Sequence, residues 1–164
     1  GNVKSSAESS LRFTESPSVA LGQRPFGSSS VFNFYRPGFV APGSESAEQG
    51  LTAPEFQIVN TGSAIGFSNF MTNYIRDITQ NDGSNSYLPD YSDELALADD
   101  AAALVDHLAL LLTGHQISEA SKTAITNAVE TIGIRVDQED TDRQARVRLA
   151  IIMFVNDPSF TVIK

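Results

Sequence analysis

The chain has no cysteine, which excludes disulfide staples, thiolate metal sites and a cysteine nucleophile. Basic residues are scarce as well: eleven Lys and Arg against twenty Asp and Glu leave a net charge of −9. That balance argues against a nucleic-acid footprint and against attraction to an anionic membrane surface. Long hydrophobic runs are missing too. The longest, Leu149 to Val155, has the length of a core helix segment and falls far short of the roughly 20 apolar residues a membrane-spanning helix needs. The N-terminus is polar and serine-rich, with no apolar stretch behind a positive charge, so it does not read as a signal peptide. It reads as a fragment of a longer protein.

What is present suffices for a real core: 164 residues, 41% of them hydrophobic, fit a single domain. Within it the pattern divides into a polar lead-in over 1–24, an aromatic loop over 25–52 and a helical core over 53–164. Residues 1–52 hold four of the seven prolines (Pro17, Pro25, Pro37, Pro42) and six of the eleven glycines, which forbids long regular elements and leaves at most a short helix near Ala7 to Thr14. Inside that stretch the run Pro25 to Phe39 carries Phe26, Phe32, Phe34, Tyr35 and Phe39. Aromatics along a loop suggest that it is pinned down or forms a pocket, so the loop is expected to be mostly ordered, with its rings clamped on the helices.

From Thr52 the period becomes helical. Thr52 and Glu55 read as a capping box with Pro54 in the first turn, and Phe56, Val59, Phe67, Phe70, Tyr74 and Ile78 form one stripe to about Thr79. Ser92 caps a second predicted helix, its stripe running from Leu97 to Leu112 and stopping at Gly114. Ser118 caps a third that stops at Gly133, and a fourth runs from about Thr141 to Asn156, ended by Asp157-Pro158. The tail Phe160 to Ile163 is expected to pack beside it. The fold class is therefore all-α: about four main helices with a long N-terminal loop.

These pieces together resemble a bacterial family known as domain of unknown function 1800. The resemblance rests on Phe26 to Gly38, Ala53 to Ile58, Leu111-Leu112-Thr113-Gly114 and Arg146-Val147-Arg148-Leu149-Ala150, in that order. It implies a largely helical protein several hundred residues long, often exported to the periplasm or beyond, with this chain as its C-terminal part. It implies no catalytic residue here, since the family's histidine-rich and Asn-Glu-rich motifs would lie upstream.

Chemistry is sparse in the residues themselves. Phe32, Asn33, Tyr35 and Arg36 combine rings with polar groups, the mixture expected of a pocket that stacks a sugar or peptide and orients it. The plainer alternative is that the rings staple the loop and Arg36 pairs with an acid such as Glu55. His107 and His115 are eight apart across Gly114, whereas a helical zinc pair wants a spacing of three or four and a third ligand, so neither is assigned to a metal. No serine has a partner base. The acids between Asp77 and Asp106 miss the calcium helix-loop-helix spacing and read as a solvated face; Glu139 with Arg143 and Asp142 with Arg146 read as helix pairs at a spacing of four. No cofactor is assigned. The expected function is a non-catalytic module that displays an aromatic surface to a protein or glycan partner beside the upstream part of its parent chain. The competing expectation is a wall of an enzyme cleft, most simply a hydrolase, with its catalytic groups upstream.

Overall fold

The computed structural model describes residues 3–5, 21–24, 26–79 and 87–161, with backbone only at 3–5, 76–79, 87–89 and 161. The fold is helical. Seven α-helices are described: α1 (Glu45–Glu48), α2 (Thr61–Thr79), α3 (Ser92–Leu97), α4 (Ala101–Thr113), α5 (Glu119–Glu130), α6 (Glu139–Val155) and α7 (Pro158–Thr161). Four of them, α2, α4, α5 and α6, exceed three turns, in line with the expected four main helices. A single 3₁₀ turn occupies Pro54–Gln57, and β1 (Val3–Ser5) pairs antiparallel with β2 (Tyr87–Pro89), Lys4 opposite Leu88. Two compact units result: Phe13–Tyr74, and Ile75–Lys164 together with Gly1–Arg12. The division falls inside α2, at Tyr74, and not at the start of the helical pattern.

In the larger unit α4, α5 and α6 pack on one another, with α3 against α4 and α6 and α7 also against α4 and α6. Leu104, Val105 and Leu108 of α4, Ile125 and Val129 of α5, and Val147, Ala150, Ile151 and Phe154 of α6 are buried. Their spacings of three and four put each set on one helix face. Ala98, Ala109 and Ala150 are fully buried and leave room for close helix approach.

Most helix ends follow local chemistry. Ser118 accepts the N–H of Ser121 at the start of α5, as expected, and Gly114 ends α4 in the left-handed region at φ 55°. His115, also left-handed at φ 61°, continues that turn, and the N–H groups of Gly114 and His115 cover the carbonyls of Leu110 and Ala109. Three expectations need correction. The long second helix is two, because Asp100 accepts the N–H of Ala103 and starts α4 afresh, while the chain turns at Ala98 to Asp100. The third helix ends at Glu130, before Gly133, with the N–H of Thr131 and of Ile132 returning to Ala128 and Val129. The first helix does not begin at Thr52: the turn Pro54–Gln57 has no side-chain cap, and α2 begins after Asn60. There Asn60 and Ser63 cap each other, the N–H of Ser63 to Asn60 Oδ1 at 3.0 Å and the N–H of Asn60 to Ser63 Oγ at 2.9 Å. This is a capping box with its partners three positions apart, built from Asn and Ser instead of Thr and Glu.

Arg146, buried like Glu94 and Asp142 in the larger unit, donates from its guanidinium Nε to the Ile132 carbonyl and from Nη1 to those of Ala98 and Asp99. These carbonyls follow the C-terminal ends of α5 and α3, where helical partners run out. One side chain of α6 therefore closes two other helices. The expected pair Asp142–Arg146 is not formed: Asp142 turns to Arg135, which reaches it from its own backbone N–H and from both Nε and Nη2, at 2.7 to 3.0 Å. The expected pair Glu139–Arg143 does form, at 3.3 Å, but Arg143 spends its fork on both oxygens of Asp99, 2.7 and 2.9 Å away. The expected helix near Ala7, the turn at Asn81 to Asn85 and the tail residues Val162 and Ile163 lie outside the described residues.

Candidate functional site

In the smaller unit the aromatic loop is a succession of turns closed by backbone hydrogen bonds: Arg24–Gly27, Ser30–Asn33, Arg36–Phe39 and Ala41–Ser44. The last two have Pro-Gly at their centres, the sequence expected of such turns. The corners of the first two carry large apolar side chains. Phe26 sits at φ 55°, unusual for a bulky residue, and is fully exposed; Val31 and Phe32 form the corner of the second, with Phe32 60% exposed. Asn33 follows in the left-handed region at φ 66°, a conformation its short amide side chain tolerates. Ser30 fixes this corner twice, its carbonyl accepting the N–H of Asn33 and its hydroxyl that of Phe32, both at 3.2 Å.

Two longer-range bonds hold the loop. Gln57 Oε1 accepts the N–H of Arg36 at 2.8 Å, and the Phe39 carbonyl accepts the N–H of Ala53 at 2.9 Å. The two stretches of the family pattern, Phe26 to Gly38 and Ala53 to Ile58, are thus joined to each other. The structure keeps Phe32, Asn33, Tyr35 and Arg36 on one short segment: Phe32, Asn33 and Arg36 are exposed and Tyr35 is half-buried. They do not enclose a buried pocket.

This corrects the expectation of clamped rings. Phe34 and Phe39 are half-buried, while Phe26 and Phe32 stand out, because the corners of tight turns project their side chains away from the chain that closes them. A mostly ordered loop over 1–52 is not supported either: residues 1–2, 6–20 and Pro25 lie outside the described residues. Among the described residues no ion pair joins Arg36 to Glu55; the backbone of Arg36 is held and its side chain is not.

A second arrangement, in the larger unit, escaped sequence reasoning. His107 of α4 meets Glu94 of α3, Nε2 to Oε1 at 3.1 Å, with the carboxylate side chain 5% exposed and the imidazole 29%. Glu94 Oε2 is buried and has no hydrogen-bond partner among the described residues. Thirteen positions apart and on different helices, the two residues share no local pattern; the only available signal was an acid in the first turn of a helix whose next turn is apolar. His115 is not part of this pair. Among the described residues no group of three or more His, Asp or Glu side chains gathers as a metal site.

The remaining charged groups serve the helix surface. Lys122 reaches Asp106 at 2.5 Å, and that hydrogen bond lowers the Asp106 pKa and raises that of Lys122. Hydrogen bonding to Arg143 lowers Asp99 in the same way, and Arg135 brings Asp142 down to about 2. These shifts follow from ion pairing and do not mark a catalytic centre.

The fold and its surface define a helical bundle joined to a turn-rich aromatic segment, with no helix long and apolar enough to cross a membrane among the described residues. The chain belongs to the family described as protein of unknown function (DUF1800), whose model matches residues 3–162. No curated protein and no solved structure matches it.

Proposed function

We propose that this chain is a non-catalytic helical module of a larger exported bacterial protein and that the segment Phe32 to Arg36 presents an aromatic surface to a protein or glycan partner. The observation that carries this reading is the exposure of Phe26 and Phe32 at the corners of two hydrogen-bonded turns. Large apolar rings left in water stabilise nothing in the isolated chain, and exposed rings with adjoining polar groups suit contact with another molecule. The upstream part of the parent chain is one such molecule. The reading is tested by probing an immobilised glycan panel, and the purified upstream part of the parent, with the wild-type chain and with Phe26→Ala/Phe32→Ala. Binding that disappears in the variant without a change in melting temperature supports it. Binding unaffected by the loss of both rings, or absent throughout, overturns it.

The alternative, a wall of a hydrolase cleft whose catalytic groups lie upstream, draws on the Glu94–His107 pair. A buried carboxylate that orients a partly exposed imidazole is an element of acid-base catalysis. His107→Gln in the full-length parent, assayed on a panel of ester and glycoside substrates, separates the two readings. Activity lost with folding intact favours the cleft, and an unchanged profile removes it.

A further inference from the structure

The two units differ in what they bury. Among the described residues, Phe70 is the one buried apolar side chain of Phe13–Tyr74; the others, from Ile75 to Val155, all belong to the larger unit. Exposure runs the other way. Phe26, Phe32, Leu51, Phe56, Val59 and Ile65 of the smaller unit stand in water, against Leu110, Leu111 and Val136 of the larger. Ordering a row of turns and a long helix costs conformational entropy, and one buried ring with half-buried neighbours offsets little of it. The described residues of the smaller unit have the elements of a fold without its core.

The bare side of α2 shows what is missing. A helix face in water is ordinarily rich in charge, yet no charged residue occurs between Glu55 and Arg76. Spacings of three and four put Gly62, Ile65 and Asn69 on one face, and all three are exposed. A Cβ added at Gly62 meets only Asn60 Oδ1, so another backbone has room to approach there. Phe56 and Val59 stand exposed in the turn and the link that lead into this helix. An apolar surface depleted of charge has the composition of a permanently covered protein interface. A second copy is a poor cover, since each chain carries a net charge of −9 and the two repel. A segment of the same polypeptide is tethered and covers the face at all times.

Resting on the reading above, in which this chain is a module of a larger protein, we infer that the upstream part of the parent supplies the core that Phe13–Tyr74 lacks, laying an uncharged apolar surface on Gly62 and Ile65 of α2 and on Phe56 and Val59 before it. Hydrogen exchange followed by mass spectrometry tests it, on this chain alone at a low and a high concentration and on the full-length parent. In the chain alone the amides of α4, α5 and α6 are expected to be protected and those of residues 56–70 to exchange close to the unprotected rate; in the parent the latter slow by about a hundredfold or more. Val59→Ser/Ile65→Ser leaves the melting temperature of the chain alone unchanged and removes most of the protection gained in the parent. Residues 56–70 already protected in the dilute chain overturn the inference, because the unit then has a core of its own. Protection that appears only at the higher concentration overturns the role of the parent in favour of a second copy. No gain in the parent, or a gain indifferent to the two serines, overturns it as well. These variants keep Phe26 and Phe32, so a failure here is distinct from a failure of binding through the two rings.

Discussion

Arg146 Nε donates to the carbonyl oxygen of Ile132 at 2.8 Å, a bond that ties the exit of α5 to the middle of α6. The same guanidinium holds Ala98 and Asp99 beyond the end of α3, so three helices share one side chain. The family stretch Arg146 to Ala150 is thereby a packing device: Arg146 caps, while Val147 and Ala150 lie in the core.

Replacing Arg146 with Met keeps the apolar stem and removes every donor. The orphaned carbonyls make Arg146→Met cost about 3 kcal/mol, and Arg146→Lys recovers only part of this, because one ammonium cannot reach both helix ends in the fork's geometry. Urea denaturation measures both. A loss below about 1 kcal/mol for the Met variant contradicts the capping role.

Glu94 and His107 make a prediction of opposite form. His107→Leu alone strands a buried carboxylate that already has one bare oxygen, and is expected to cost about 2 kcal/mol or more. Adding Glu94→Leu removes the stranded group and recovers at least half of that loss. A double-mutant cycle with purely additive effects means that the two side chains do not depend on each other.

The acid limb of stability is set in part by Asp142. Its carboxyl, held by the Arg135 side chain and backbone N–H, titrates at about 2 in the folded chain and near the ordinary aspartate value when unfolded. A depressed folded pKa contributes stability that is complete above about pH 4 and drains away as the pH falls toward 2. Asp99 and Asp106, also lowered, act in the same direction. Asp142→Asn is therefore expected to be less stable than wild type at pH 6 and nearly equal to it at pH 2. A gap between the two proteins that does not narrow on acidification refutes the assignment.

Phe32 and Phe154 have the same side chain and opposite surroundings, one 60% exposed and the other fully buried. Phe154→Ala is expected to cost about 3–5 kcal/mol and to lower the melting temperature by many degrees, whereas Phe32→Ala leaves melting within a degree or two. Thermal unfolding followed by circular dichroism decides the matter. A large shift for Phe32→Ala restores it as an anchor.

Helix content, the Ser118 cap, the Gly114 stop and the core face of α4 as far as Leu108 were legible in the sequence because each depends on residues within one turn of the chain, whereas Leu111, expected on that face, is exposed. Caps and stops are local chemistry, and a stripe with a period near 3.6 needs no knowledge of what it packs against. Asn60 with Ser63 was equally local and was passed over for the more familiar Thr52 with Glu55, which the prolyl 3₁₀ turn leaves unused. The break at Asp100 was harder, because a continuous apolar stripe conceals a short capping residue within it.

The tertiary structure alone decided where the charges went and which rings met water. Asp142 had two arginines within reach in sequence and took the one seven residues back, since Arg146 was drawn into the interior by carbonyls up to 48 positions away. His107 found its acid on another helix, and Phe26 and Phe32 were turned outward by hydrogen bonds that close tight turns beneath them. Period and capping fix what each segment becomes; partners distant in sequence and the desolvation of buried groups fix what it touches, and these arise only once the segments are packed.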